Sequence, residues 1–385
     1  MTVLATPSAS DLAGESIRTL YDQLAARLKD ISHLQGIARL LGWDQLVMMP
    51  EKAEDARSDH RRQMTEDLSS ELNSYELANI RLAQKSYKGE TLIPNELVEA
   101  SSTATTKSVS AWEKVRETSD FSKFAPFLEE QIRLIRQTAT YKMKGGICKE
   151  AIRINKKACA SLILLDEYEP GFKDSRLEAL FIDLKQHLIP LIAKIKAKNF
   201  QHENGFLKSY FDVEKQAELS HLMCKKMGFN TDARRLDPGF NRIESDEVTY
   251  PMYIILRYEI EKALIEGDIQ VADVPAVWNA KMKEYLGLKV IEDRAGCLQD
   301  THWAIGLIGY FPTYTLGSIY AAQIFGAAKE AIPDLDEHLA NGDLSVLKEW
   351  LNKNIHEQGS LKESGDDLIL ALTGKPLDSS LLFGT

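Results

Sequence analysis

Apolar residues recur every three or four positions along most of this chain, which is the spacing of one face of an α-helix. One such stripe runs from Ile17 to Leu41, and the segment from Trp112 to Tyr141 carries another that is rich in Phe, Leu and Ile. Further helices are predicted over residues 51–82, 177–191, 206–227, 250–267, 274–286 and 316–331, and the last regular helix over residues 343–355. No run alternates between apolar and polar residues convincingly enough to predict a strand, and no internal repeat is present. The pattern therefore predicts an all-α fold.

Two of these segments give more detailed predictions. The helix over 250–267 should bury one stripe of residues, namely Met252, Ile255, Leu256, Ile260 and Leu264. The helix over 177–191 should bury another, namely Leu177, Leu180, Leu184, Leu188 and Leu191. Ser175 and Glu178 have the spacing of a capping box at the start of the second helix, and Pro190 predicts a kink late in it.

The composition narrows the class of protein. The chain has 385 residues, of which 44% are hydrophobic and 27% charged, and its net charge of -10 argues against nucleic acid or an anionic membrane as a partner. Its four cysteines lack Cys-x-x-Cys spacing, so free thiols are expected. We expect a cytoplasmic protein, because the sequence shows neither a signal peptide nor a window apolar enough to span a membrane. Residues 1–14 should be disordered, and residues 15–385 should form a single helical domain.

Two groups of polar residues are candidate sites. Three carboxylates, Asp166, Glu167 and Glu169, lie within four residues and could bind a cation, although the Pro-Gly after them favours a solvated helix end. The stretch from Gly296 to Tyr314 combines Gln, Asp, His, Trp and Tyr with several Gly. Its Asp300 and His302 could form a carboxylate–imidazole pair beside a ligand, or the stretch could be a buried, hydrogen-bonded elbow between two helices.

The same stretch resembles a known family. Gly-x-x-Gln-Asp-x-His-Trp at 296–303 and Gly-Tyr-Phe-Pro-Thr-Tyr at 309–314 are similar to the C-terminal signature of the carboxypeptidase Taq family. Gly-Trp-Asp-Gln at 42–45, followed by Met-Met-Pro at 48–50, resembles the N-terminal pattern of that family. The resemblance implies a large all-helical, zincin-like scaffold and a zinc metallocarboxypeptidase that removes C-terminal residues from peptides. It also implies that the chain can form a homodimer.

The zinc-binding motif that the resemblance implies is absent from the sequence. That motif, His-Glu-x-x-His, places two imidazoles on one helical turn with the Glu as general base. None of the eight histidines has another histidine four positions away. His202 and His356 are each followed by Glu, but Phe206 and Ser360 stand where the second His is needed. Both near-matches contain a Gly, which favours surface helix ends or loops.

The missing segment has a definite location. Residues 228–237 resemble the sequence before the family's catalytic section, and residues 241–250 resemble its Ile-Arg-x-x-Ala-Asp motif and the residues immediately after that motif. Only Pro-Gly-Phe at 238–240 lies between them. We therefore expect an internal deletion near 237–240 that removes the zinc helix and the third ligand, so that no zinc cofactor and no metal site are expected in this chain.

Part of a substrate cleft is predicted to remain. By resemblance, Arg242 is the motif arginine, whose guanidinium suits a peptide's terminal carboxylate, and Asp246 would orient it. Four more residues would line the cleft, namely Gln299, Asp300, His302 and Tyr310. The alternative for Arg242 is an ordinary salt bridge where a helix begins.

Two other kinds of chemistry find little support in the sequence. A substitute metal site built from Glu244, Asp246, Asp300 and His302 is disfavoured, because no second histidine is near in sequence. Cys297 as a nucleophile lacks any recognised elbow or oxyanion arrangement.

Two functions remain open from sequence. The chain is either an inactive truncated or variant metallocarboxypeptidase, or a non-catalytic helical protein that binds peptides with a free C-terminus or pairs with a full-length relative. A splice form, an incorrectly assembled gene model and a true pseudoenzyme would all give this sequence. Helices next to the gap would expose apolar surface, at a cost of roughly 25 cal/mol for each Å² left wet, so an unstable or self-associating fold is expected.

Overall fold

This computed structural model describes residues 73–145, 159–198 and 248–380, together with single positions between 22 and 29 and between 212 and 223. Its α-helices in these ranges are α1 Ser74–Thr91, α2 Asn95–Thr118, α3 Phe121–Lys144, α4 Cys159–Asp166, α5 Asp174–Ala197, α6 Tyr250–Glu266, α7 Val274–Leu286, α8 Pro312–Ala331, α9 Leu335–Ala340, α10 Ser345–Leu351 and α11 Gly365–Thr373. Short 3-10 turns lie at Val271–Asp273 and Asp293–Ala295, and a π-helical turn at Asn352–His356. The described ranges contain no strand, which confirms the all-α prediction.

The chain divides into two compact units. Unit 1 comprises Met1–Lys114, Pro126–Ile163 and Thr301–Gly306, and unit 2 comprises Val115–Ala125, Leu164–Asp300 and Leu307–Thr385. The predicted disorder of residues 1–14 and the predicted deletion near 237–240 lie outside the described residues. The single domain over 15–385 stays a prediction, as does the cytoplasmic location. None of the described helices combines the length and the apolar character needed to cross a bilayer.

Unit 1 has its own apolar core. Helix α1 begins with a complete capping box, in which the Asn73 side chain accepts hydrogen bonds from the amides of Tyr75 and Glu76 and the Glu76 carboxylate accepts one from the Asn73 amide. The buried apolar residues include Leu97, Leu128, Ile132, Leu134, Ala139, Ile163 and Trp303. Leu128, Ile132 and Ala139 are separated by four and seven positions along α3, so these three buried side chains share one face of that helix.

The core of unit 2 follows the apolar stripes read from the sequence. All five residues predicted to point inward from α6 are at most 1% exposed. Helix α7 has the predicted bounds, and Trp278 within it is 1% exposed. Both helices end at a glycine in the left-handed conformation, Gly267 and Gly287, where an L side chain would be strained.

Three predictions for unit 2 are wrong in detail. Helix α5 buries Ile192 instead of Leu191, because Ile192 lies four residues after the buried Leu188 and therefore on the same face of the helix. Its start shows no capping box: the helix begins at Asp174, and both Asp174 and Glu178 instead accept hydrogen bonds from Lys262. Helix 343–355 is not the last regular one, because α11 comes after it, with the Ser364 hydroxyl accepting from the Asp367 amide.

Candidate functional site

The stretch from Gly296 to Tyr314 falls in both units. Residues 296–300 and 307–314 belong to unit 2, and residues 301–306 belong to unit 1. In unit 2, helix α6 carries two buried charged side chains one turn apart, Arg257 at 6% exposure and Glu261 at 2%. Each of them contacts a different part of the stretch.

Arg257 binds the Gln-Asp pair of the motif. Its Nε donates to Asp300 Oδ2 at 2.8 Å, and its Nη2 donates to Gln299 Oε1 at 2.7 Å. The third nitrogen, Nη1, donates to the carbonyl of Tyr253 at 2.8 Å. The guanidinium carbon also lies 4.7 Å from the centre of the Trp278 ring, a cation–π distance. A buried arginine with donors in three directions therefore fixes these two side chains.

Glu261 binds the backbone further along the stretch. Its Oε2 accepts a hydrogen bond of 3.0 Å from the amide of Gly309 in a buried position. Gly309 has a φ of +84°, and a Cβ built there would lie 2.9 Å from the carbonyl carbon of Leu164. Only glycine can therefore occupy this position without a clash, because the backbone of Leu164 fills the space.

Tyr310 comes directly after Gly309 and packs among aromatic rings of unit 2. Its ring centre lies 5.0 Å from that of Tyr168 and 5.2 Å from that of Tyr314, both edge to face. Burial, together with the charge of Glu167, raises the pKa of the Tyr168 hydroxyl well above its usual range. Tyr310 is thus held in a defined orientation beside a phenol that stays protonated.

The centre of the part of the stretch in unit 1, residues 302–304, is buried. His302 is 2% exposed and Trp303 is 5% exposed. The buried Gln131 side chain donates to the carbonyl of Ala304 and to the hydroxyl of Thr105, both at 3.1 Å. This hydrogen-bonded, buried arrangement agrees with the elbow alternative for residues 301–306.

Two other candidates from the sequence lie in unit 2. Burial raises the pKa of the Cys297 thiol to about 12, so this side chain is a poor nucleophile at neutral pH. The carboxylates at 166–169 are not a fully solvated helix end, because Asp166 is buried and accepts a hydrogen bond of 2.8 Å from the Gly171 amide. Burial and the nearby Asp366 also raise the pKa of Glu169 to about 7.

The structure brings together some of the predicted cleft residues. Gln299 and Asp300 meet at Arg257, whereas Arg242 and Asp246 lie outside the described residues. Sequence reasoning missed both Arg257 and Glu261. The sequence feature that could have revealed these two residues is their spacing, since two opposite charges lie four residues apart within the strongly apolar run of α6.

Comparison with known proteins identifies the family. A family model described as carboxypeptidase Taq (M32) metallopeptidase matches residues 61–239 and 233–384. The chain belongs to the carboxypeptidase Taq family. The match to this family comes in two pieces that meet at residues 233–239.

Carboxypeptidase 1 of Bacillus subtilis is 26% identical to this chain, and the alignment covers 94% of this chain and 96% of the relative. Thermostable carboxypeptidase 1 of Pyrococcus furiosus is 25% identical, with 92% and 94% covered. The solved structure of Trypanosoma cruzi metallocarboxypeptidase 1 superposes with a TM-score of 0.69 at 25% identity, covering 81% of this chain and 83% of that one. The two sequence alignments extend over 494 and 486 residues, against 385 in this chain. Each of these two relatives therefore has more than a hundred residues without a counterpart here.

The described residues do not fit the zinc ion of a metallopeptidase. Within them, no three His, Cys, Asp or Glu side chains come together in a way that could hold a metal ion. Asp300 is bound to the Arg257 guanidinium, and His302 belongs to the other unit. No reaction step through zinc is therefore assigned to these side chains.

Proposed function

We propose that this chain carries the carboxypeptidase Taq scaffold without zinc-dependent peptidase activity. The proposal depends on one observation: a sequence that matches the family on both sides of residues 233–239 contains no His-Glu-x-x-His. Peptide hydrolysis of this type needs a polarised carbonyl and an activated water, and the metal supplies both. The longer alignments with the Bacillus and Pyrococcus relatives support the loss of an internal segment.

The test is a peptidase assay on this chain purified in the presence of zinc. Release of C-terminal residues from a short unblocked peptide is followed by mass spectrometry, with and without a chelator. Carboxypeptidase 1 of Bacillus subtilis, treated in the same way, shows that the assay detects family activity. We expect no chelator-sensitive release from this chain, and turnover that the chelator abolishes would refute the proposal.

We further propose that the chain binds peptides that have a free C-terminus. The resemblance of residues 241–250 to the Ile-Arg-x-x-Ala-Asp motif supports this, since Arg242 would pair with a terminal carboxylate through two parallel hydrogen bonds. The defined arrangement of Gln299, Asp300 and Tyr310 supports it as well. Pairing with a full-length relative is the other non-catalytic role, and a mixture of the two proteins would then give a mixed dimer in sedimentation analysis.

Calorimetry tests the binding proposal with two peptides that differ only in the C-terminal group. The free acid should bind and the C-terminal amide should bind at least about tenfold more weakly, because the amide cannot accept a charge-assisted pair from a guanidinium. The substitution Arg242→Gln should remove this difference. Equal binding of acid and amide by the unsubstituted chain would exclude a carboxylate-binding role.

A further inference from the structure

Arg257 and Glu261 are two charged side chains of α6 that the apolar core of unit 2 buries, at 6% and 2% exposure. Burying a charge is unfavourable unless hydrogen bonds and opposite charges replace the lost water. A solvent-facing pair at the same spacing would need no such partners. The partners of these two residues therefore indicate what the buried charges do.

The partners of Arg257 lie mainly in the stretch from Gly296 to Tyr314, the motif stretch. Two of its nitrogens donate to Gln299 and Asp300, and its guanidinium carbon lies 4.7 Å from the centre of the Trp278 ring and 5.4 Å from that of Phe311. Gln299 is engaged at its other end too, because its Nε2 donates to the carbonyl of Ala295 at 2.9 Å. Such a fixed geometry uses the planar fork of arginine, which a lysine ammonium cannot reproduce.

Glu261 contacts the stretch further along the chain, at Gly309. Its carboxylate accepts from the Gly309 amide at 3.0 Å, and Gly309 lies against the backbone of Leu164. The next residue is Tyr310, whose ring packs against those of Tyr168 and Tyr314. A change in how Gly309 is held would therefore move the Tyr310 ring.

We propose that Arg257 and Glu261 are positioning residues, which fix the two unit 2 parts of the motif stretch from one helix and thereby set the orientation of Tyr310 toward a bound peptide. The peptide part of this inference rests on the proposed binding of free C-termini. The side chains act through Gln299, Asp300 and Gly309, and neither is assigned a contact with the peptide itself.

The alternative is that both residues only stabilise the core. A matched control separates the two, because Glu259 lies on the same helix and is a partly buried carboxylate with a different set of partners. It contacts Lys185 at 2.6 Å, Lys281 and the Tyr285 hydroxyl, none of which belongs to the stretch. Glu259→Gln and Glu261→Gln thus each remove one negative charge from the same helix. Of these two glutamates, Glu261 is the one that accepts the hydrogen bond from Gly309.

The experiment measures amide hydrogen exchange of the two unit 2 parts of the stretch, residues 296–300 and 307–314, in the intact chain, together with calorimetric binding of the acid and amide peptides. Glu261→Gln and Arg257→Lys should raise exchange in these two parts by about tenfold, the size expected when a hydrogen bond to a buried charged group is weakened. Glu259→Gln should leave exchange there within about twofold of the unsubstituted chain, even if its melting temperature falls. Glu261→Gln and Arg257→Lys should also lose preference for the acid peptide.

Two outcomes overturn the inference. If the two parts of the stretch exchange equally fast in Glu259→Gln and Glu261→Gln, then Arg257 and Glu261 only stabilise the core. Unchanged exchange in Glu261→Gln and Arg257→Lys would show that the contacts do not hold the stretch. If exchange changes as expected while the unsubstituted chain binds neither peptide, the positioning of the stretch stands and the proposed peptide binding fails.

Discussion

Replacing Gly309 by Ala perturbs the motif stretch at its most restricted point. The φ of +84° is unfavourable for any residue with a side chain, and the added Cβ would lie 2.9 Å from both the carbonyl carbon and the Cβ of Leu164. The obstacle is largely backbone within unit 2, so rotation of a side chain cannot relieve it. The substitution should therefore strain the stretch, α4, or both.

The expected magnitude has two parts. Placing an L residue in the left-handed region costs roughly 1–2 kcal/mol, and overpacking a filled site costs roughly a further 1–3 kcal/mol. The sum predicts a loss of about 2–5 kcal/mol in the free energy of unfolding.

Two other glycines of unit 2 separate these parts. Gly374 has a φ of +69° with nothing within 4 Å of the position that a Cβ would take, so Gly374→Ala should show only the conformational cost of roughly 1–2 kcal/mol. Gly317 lies inside α8 with open space around it and no left-handed φ, so Gly317→Ala should stabilise by roughly 0.5–1 kcal/mol.

Urea unfolding of the three variants and the unsubstituted chain, followed by far-UV circular dichroism, gives the comparison. The expected order of stability is Gly317→Ala, then the unsubstituted chain, then Gly374→Ala, with Gly309→Ala last. A Gly309→Ala variant as stable as Gly374→Ala would refute the close approach to Leu164, and with it the described placement of the stretch.

Two further predictions concern pH. Burial raises the pKa of Glu169 to about 7 in the folded chain, so the folded state binds the carboxyl proton of Glu169 more tightly than the unfolded state does. The stability that this protonated carboxyl contributes is therefore complete below the ordinary Glu pKa and is lost as pH rises through about 7. Glu169→Gln should flatten the fall in urea midpoint between about pH 5 and 8, and an unchanged profile would contradict the burial of this carboxyl. The His338 ring lies 2.8 Å from Asp343 and 3.4 Å from Asp334, and these carboxylates raise its pKa. The stability that protonated His338 contributes should be present below the ordinary His pKa and lost as pH rises above the pKa of this ring in the folded chain. His338→Gln should therefore lower the urea midpoint only at acidic pH. An equal loss of stability at about pH 5 and about pH 9 would count against the ion pairs.

The helices that the sequence predicted well are those with an uninterrupted apolar face. In α6 the spacing correctly assigned Met252 and the other four residues of the stripe to the core, although the helix also buries Arg257 and Glu261, which do not belong to that stripe. At the ends of helices, competing partners decide the outcome. Glu178 had the spacing of a capping residue, yet Lys262, far away in sequence, binds it instead.

The centre of the candidate site was less predictable. A charged residue such as Arg257 is normally assigned to the surface, and its burial depends on Gln299 and Asp300, which are distant in sequence. The motif showed that these two residues matter, but not that a buried guanidinium binds them. Tertiary partners of this kind leave no periodic signal in the sequence.

Zinc binding is the most direct test of the central claim that the scaffold persists without the metal-binding pair. The chain is incubated with zinc, passed through gel filtration, and analysed by native mass spectrometry beside carboxypeptidase 1 of Bacillus subtilis. We predict that this chain retains no stoichiometric zinc. Retention of one zinc ion per chain, lost on treatment with a chelator, would contradict the account.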